Sequence, residues 1–248
     1  MKHKIKLKEK LEKLEDFLFD PNSCICCTRE CDLDNSYRLC SRCVKNLEFI
    51  GDSFCLKCGE KIGSGYDYCL TCKEELFDFD YARAVLVYNE ISAPIILKFK
   101  YNGHKWYKYP IAHLLKDYYS QSDIVANCVT YVPMPEKRFK ERGFNQAEEI
   151  AREFGKLTNI EVLDLLTRKE ETIKQASLTA EERRKNIKGS FIAINKNQIN
   201  GKDILLIDDV MTTGSTASEC AKVLKENNAR SVCVLTVART SRELKMLK

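Results

Sequence analysis

Residues Ile204 to Thr216 read ILLIDDVMTTGST, and this stretch decides what kind of fold the chain adopts. Four aliphatic residues form an apolar run of strand length, closed first by two acids and then by small, hydroxylated residues. Removing a charge from water is costly unless something compensates it, so Asp208 and Asp209 at the end of a buried strand require partners. Val210–Gly214 reads as a turn, and Thr216 as the start of a helix that continues through Leu224. Open α/β sheets bind ligands in the crevice outside the carboxyl ends of their strands. A helix N-terminus at that crevice offers unpaired backbone N–H groups and a positive dipole end, which suit a phosphate. Thr212, Thr213, Ser215 and Thr216 add hydroxyl donors, and Gly214 lets the backbone close around the anion. Two carboxylates beside that anion would repel it unless they hold something else. Sugar hydroxyls and a hydrated divalent cation are the natural partners, so the expected ligand is a ribose 5-phosphate with free 2- and 3-hydroxyls. No G-x4-G-K-[ST] occurs in the chain, which removes a nucleotide-hydrolysing P-loop as the explanation.

On either side of this stretch, strand-like and helix-like segments alternate from about residue 80. Ala84–Tyr88, Val129–Pro133, Phe191–Ile194, Ile204–Ile207 and Val232–Val237 read as strands. Pro94–Tyr101, Ile111–Tyr119, Ala147–Leu157 and Ala217–Asn227 read as helices. That alternation predicts an α/β fold, a mostly parallel sheet with helices on both faces. The polar segment from Arg168 to Lys188 is a long connection of the kind that is functional or disordered. In the 248-residue chain 44% of residues are hydrophobic and 31% charged, a globular composition. Its longest apolar runs are broken by Lys, Asp or Asn, so no membrane-spanning segment is expected. Leu7, Leu11, Leu14 and Leu18 predict a helix over 1–20 that docks on the body of the protein. Its Lys- and Glu-rich face is too densely charged for a signal peptide, and a cytoplasmic location is the default.

Ten of the 13 cysteines lie between Cys24 and Cys72. They include four C-x2-C pairs: Cys24/Cys27, Cys40/Cys43, Cys55/Cys58 and Cys69/Cys72. A C-x2-C turn presents two sulfurs at one tetrahedral corner, and two such turns complete a four-cysteine zinc site. Sequential pairing makes one site from the first two pairs and one from the last two, and spacing alone does not exclude an interleaved pairing; four thiolates would also take an iron–sulfur cluster. Gly59 after Cys58 suits a tight knuckle turn. The first role of such metal is to staple a segment too small for its own core, with contact to nucleic acid or a partner as the alternative. Catalysis is not expected of an all-cysteine site, which keeps no open position. Cys26 and Cys31 read as additional thiols, and Cys128, Cys220 and Cys233 as core filler. Eight thiolates on two zinc ions would lower the formal charge of +5 to about +1, so net charge alone is weak evidence for nucleic-acid binding.

ILLIDDVMTTGST resembles the 5-phosphoribosyl-1-pyrophosphate (PRPP) motif of type I phosphoribosyltransferases. The resemblance implies that Asp208 and Asp209 hold the ribose hydroxyls, that Thr212 to Thr216 hold the 5-phosphate, and that Mg2+ accompanies PRPP. Further stretches narrow the match: KFKYNG (98–103), YVPMPEKRFKERGFNQAEEIA (131–151), the segment 168–191 with Gln175, Leu178, Arg183, Arg184 and Asn186, and LTVAR (235–239). With the paired cysteines they are similar to the ComF family of competence proteins, over about Pro21 to Arg239. This implies a double zinc ribbon over 21–78 and a phosphoribosyltransferase-like domain over 79–248, after the N-terminal helix. It also places Arg142 near the diphosphate and Arg183 or Arg184 in a loop that closes over the ligand.

ComFC-type members are associated with DNA uptake in natural transformation beside a DEAD-box-like helicase. The resemblance therefore implies single-stranded DNA and such a helicase as partners, with recruitment to the membrane uptake machinery. Lys98, Lys100, Lys105 and Lys108 interleaved with Phe99, Tyr101, Trp106 and Tyr107 would suit base stacking and phosphate contact. The alternative is an active phosphoribosyltransferase on an unidentified acceptor outside DNA uptake. A purine-pathway amidotransferase does not fit, since it needs a cysteine nucleophile at the mature N-terminus and Lys2 follows the initiator here.

Overall fold

The apolar run at Ile204 lies inside a strand of nine residues, Asp203–Met211, at the centre of a four-stranded sheet. The computed structural model describes residues 23–31, 36–101, 105–169 and 187–241. The helix expected over 1–20, and Gln175, Leu178, Arg183, Arg184 and Asn186, lie outside the described residues. In chain order the described elements begin with two short helices in the cysteine-rich region, α1 (Ser41–Asn46) and α2 (Leu70–Glu74). Then come β1 (Tyr81–Val87), α3 (Ala93–Tyr101), α4 (Lys108–Ser120), β2 (Cys128–Tyr131), α5 (Glu136–Arg142) and α6 (Gln146–Thr158). The chain closes with β3 (Leu166–Arg168), β4 (Phe191–Ala193), β5 (Asp203–Met211), α7 (Ser215–Glu226) and β6 (Ser231–Arg239). The main sheet runs β1-β6-β5-β2 with every neighbour parallel, and β3 pairs β4 in a separate antiparallel ribbon.

Successive strand residues point to opposite faces, so a strand buried on both sides reads as a continuous apolar run. In β5, Leu205 and Ile207 join one core with Ile111 and Leu115 of α4 and Ile150 and Phe154 of α6. Ile204 and Leu206 join a second core with Ala217, Cys220 and Leu224 of α7. In β6, Cys233 and Leu235 face the first core, and Val232 and Val234 the second. Cys128, Cys220 and Cys233 are buried in these layers as expected; burial pushes their thiols up, Cys128 to about 11 and Cys233 to about 12.

The cysteine-rich region straddles the sheet. Cys24, Ile25, Leu39 and Cys43 pack into the first core, Cys55, Cys58, Ile62 and Cys69 into the second. Between them the chain runs along β1, the outer strand, and pairs with it. Val87 N–H donates to Glu48 O at 2.8 Å, Ile50 N–H to Val85 O at 3.1 Å, and Ala82 N–H to Lys57 O at 2.8 Å. An uncovered strand edge is a template for aggregation, and here the inter-ribbon segment covers it. Gly59 sits at this contact with φ +68, and a Cβ there would stand 2.5 Å from Ala82 O. Only glycine fits both the turn and the approach.

The structure extends two expectations. The strand does not stop at Ile207 but carries Asp208 and Asp209 within it, because β6 runs alongside with Asp208 opposite Thr236 and Met211 opposite Arg239. Main-chain pairing there outweighs the local charge. Phe191–Ala193 is a strand, as expected, but pairs with Leu166–Arg168 outside the parallel sheet. No helix among the described residues is long and apolar enough to cross a membrane.

Candidate phosphate and metal sites

The loop after β5 is shaped by its own hydroxyls and by the chain around it. Thr213 Oγ1 and Ser215 Oγ share a hydrogen bond at 2.9 Å, and Ser215 N–H donates to Thr213 Oγ1 at 3.3 Å. Thr240, just past β6, donates its hydroxyl to Thr212 O at 3.3 Å and its N–H to Met211 O at 3.2 Å. Gly214, at φ +83, is the cap residue of α7 and has no side chain to close it. With no acidic residue in its first turn, α7 presents its N–H groups and dipole to whatever occupies the loop. Beneath Gly214 lies Phe77, whose ring would stand 3.1 Å from an added Cβ and which stacks on Phe79 at 4.9 Å. Ser218 Oγ, one turn into α7, donates to Asp78 Oδ2 at 2.7 Å and accepts from Asp78 N–H at 3.0 Å. The connector from the second ribbon into β1 therefore supports the loop directly.

The acid pair occupies the strand edge before the loop. Asp209 N–H donates to Asp208 Oδ1 at 2.8 Å. Burial, and then the neighbouring Asp209 charge, push the Asp208 carboxyl up to about 8. Asp209 is buried at 9% exposure, and its Oδ2 lies 2.8 Å from Lys100 Nζ. The last turn of α3 divides its side chains among four neighbours, as helical geometry requires of consecutive residues. Lys98 donates to Cys26 O at 2.9 Å in the first ribbon, and Phe99 packs in the core against Phe144 at 5.4 Å. Lys100 reaches Asp209, and Tyr101 accepts from Arg142 Nη2 at 3.3 Å.

Arg142, the last residue of α5, also donates to Gln146 Oε1 at 3.0 Å. Asn145 caps α6 through Ala147 N–H at 3.2 Å and donates to Val132 O at 3.0 Å, pinning the segment after β2. Arg142 thus contacts Tyr101, the neighbour of Lys100, and not the acid pair itself, while Arg184 lies outside the described residues. The basic and aromatic stretch read as a DNA contact is largely used inside the protein. Lys98 and Lys100 are engaged as above, Lys108 pairs with Glu149 at 2.9 Å, and Phe99, Trp106 and Tyr107 are buried. Sequence reading missed Lys100 as a site residue, and it missed Phe77, Asp78, Ser218 and Thr240. Only the helical spacing of Lys98 and Lys100, two residues apart and so on opposite sides, pointed toward their separate roles.

Two groups of four thiols stand among the described residues: Cys24, Cys27, Cys40 and Cys43, and Cys55, Cys58, Cys69 and Cys72. Within each group the sulfurs all lie within 4.8 Å of one another, so the pairing is sequential. Cys27 and Cys40 sulfurs are 3.7 Å apart, as are those of Cys58 and Cys69. Zn–S bonds of about 2.3 Å in a tetrahedron place sulfurs roughly 3.8 Å apart, so these clusters fit zinc ribbon sites. Cys26 instead donates to Ile91 O at 3.3 Å, and Cys31 belongs to neither group. A buried ion pair ties the second ribbon to the sheet: Arg239 of β6 lies 3.6 Å from Glu60, each 2% exposed.

Comparison with known proteins finds two family models along this chain. The double zinc ribbon domain matches residues 14–76, and the phosphoribosyl transferase domain matches residues 140–247. Competence protein F of Haemophilus influenzae is 29% identical over 210 residues, covering 81% of this chain and 90% of that protein. Competence protein ComFC of Streptococcus pneumoniae is 30% identical over 207 residues, covering 81% and 87%. The DNA utilization protein YhgH of Salmonella typhi is 26% identical over 230 residues, covering 89% and 98%. A phosphoribosyltransferase-type sheet, two four-cysteine clusters and relatives aligned over most of their length place this chain in the ComF family.

Proposed function

We propose that this protein binds PRPP at the carboxyl edge of β5 and acts in DNA uptake during natural transformation, handling incoming single-stranded DNA with a helicase partner. The observation that carries the PRPP reading is the juxtaposition of an acid pair with a glycine-capped helix N-terminus. Asp208 and Asp209 accept hydrogen bonds from the ribose 2- and 3-hydroxyls. Thr212, Thr213, Ser215 and Thr216, with the α7 N–H groups around Gly214, hold the 5-phosphate. Arg142 and Arg184 contact the diphosphate, for which a forked guanidinium is well suited. Magnesium, when bound with PRPP, offsets the charge of the diphosphate, and the carboxylates supply the oxygen donors such a cation takes. The eight paired thiols hold two zinc ions in structural sites. The DNA reading rests on the names of the relatives, two of them competence proteins and one a DNA utilization protein.

The test is titration calorimetry of the full chain with PRPP and magnesium, and separately with a single-stranded oligonucleotide. Asp208→Asn combined with Asp209→Asn is expected to weaken PRPP binding at least tenfold, a loss of about 1.4 kcal/mol or more. Oligonucleotide affinity is expected to survive the substitutions and to fall with rising salt. Equal PRPP binding by both proteins overturns the ribose assignment, and no oligonucleotide binding at low salt overturns the DNA reading.

A further inference from the structure

We infer that Lys100 is an exchangeable cation of the PRPP site: it neutralises Asp209 in the ligand-free protein and transfers its ammonium to the 1-diphosphate when the sugar hydroxyls take Asp209. The inference rests on the PRPP reading above and names a residue that confers preference for the diphosphorylated ligand. Three observations lead to it. First, Lys100 Nζ lies 2.8 Å from Asp209 Oδ2, with side-chain exposures of 21% and 13%. A pair so sheltered is screened far less than a surface ion pair. A carboxylate engaged in this way cannot accept from a sugar hydroxyl at the same oxygen without giving up the ammonium.

Second, the lysine is delivered there by a fixed support. Lys98 is anchored on Cys26 O, Phe99 is fully buried, and Tyr101 meets Arg142, so the α3 backbone is held and an exchange of partners needs only rotation of the Lys100 side chain. Third, the chemistry of the ligand places the two acceptors side by side. The 2-hydroxyl and the 1-diphosphate sit on adjacent carbons of the ribose. An ammonium displaced from the carboxylate that holds the hydroxyls therefore finds the diphosphate within the reach of one side chain. Arg142 meets Tyr101, the residue next to Lys100, through both its hydroxyl and its ring. Removal of the ammonium from Asp209 would leave its sheltered carboxylate uncompensated beside Asp208, a cost the hydroxyl donors offset only when the sugar is seated. Lys100 thus resists partial ligands and favours the complete one.

The experiment compares PRPP with ribose 5-phosphate, which lacks the diphosphate, by calorimetry in magnesium chloride with wild-type protein, Lys100→Met and Lys100→Arg. Lys100→Met is expected to lose tenfold or more in PRPP affinity while binding ribose 5-phosphate as well as wild type or better, since Asp209 is no longer occupied. Lys100→Arg keeps the charge and is expected to retain most of the preference for PRPP. Equal weakening of both ligands in Lys100→Met, or no change in either, overturns the role of the lysine while leaving the site intact. Failure of wild-type protein to bind PRPP overturns the site reading and the lysine's role with it. Loss of the PRPP preference in Lys100→Arg as complete as in Lys100→Met would also overturn it, because charge would not be the operative property.

Discussion

At the scale of single residues, the site is held ready at an electrostatic cost. Asp208 sits partly buried beside another acid, and its raised carboxyl means that the folded chain binds this proton more tightly than the unfolded chain does. Such a group supports the fold below the ordinary carboxylate range, and that support is lost as pH rises through about 8. Asp208→Asn keeps the acceptor for Asp209 N–H and removes the charge. In ligand-free protein it is expected to stabilise the fold by roughly 1–3 kcal/mol at about pH 9 and by little at about pH 4. Thermal unfolding at the two pH values measures this; an equal shift at both would show that the carboxyl is not held in its proton-binding state by the fold. The residues forming this strain were visible in the sequence as two adjacent acids after an apolar run. Lys100, which offsets part of it, was not, because its partner lies 109 positions away in the chain.

At the scale of elements, the chain builds its ligand edge from pieces that meet only after folding. The loop after β5 was legible because its turn, its hydroxyls and the following helix are contiguous. Its support was not, since Phe77 and Asp78 precede β1 and Thr240 follows β6. Helix α5 was missed for a related reason: with seven residues, a proline cap and no buried side chain, it has no apolar periodicity to read. The knuckle glycine shows the same dependence. Gly59 was expected for its turn, but the closer constraint is the 2.5 Å approach to Ala82 O in β1. Gly59→Ala is expected to cost about 2 kcal/mol or more, since the left-handed conformation and the backbone clash both penalise a side chain. Denaturant unfolding checks it. A loss of only a few tenths would mean that the ribbon moves away from β1 freely.

At the scale of the whole molecule, the two ribbons act as brackets on opposite faces of one sheet. The first holds the end of α3 through Lys98 and Tyr107, which donate to Cys26 O at 2.9 Å and Ile25 O at 3.2 Å. The second holds the loop after β5 through Phe77 and Asp78 and the end of β6 through Glu60 and Arg239. Removing one partner of the latter pair typically costs 3–5 kcal/mol, because it leaves the other charge buried and unpaired. The inter-ribbon segment covers the β1 edge. Elemental analysis is expected to give about two zinc ions per chain. Their removal by chelator is expected to release both brackets, weaken PRPP binding measured by calorimetry, and expose the β1 edge to aggregation seen as light scattering. Retained PRPP affinity in metal-free, monodisperse protein would show that the ribbons do not support the site.

By itself the sequence determined the fold class, the strand–loop–helix that carries the acids and hydroxyls, and the identity of the eight paired cysteines. These are local features: periodicity, turn chemistry and ligand spacing act over a few residues and do not depend on the rest of the chain. Only the tertiary structure decided that the cysteine pairs close sequentially and that the ribbons straddle the β1 edge. It also decided that a lysine read as a nucleic-acid contact instead faces Asp209. Those outcomes depend on which distant segments share a face of the sheet, and that is set by packing two cores at once rather than by any single stretch.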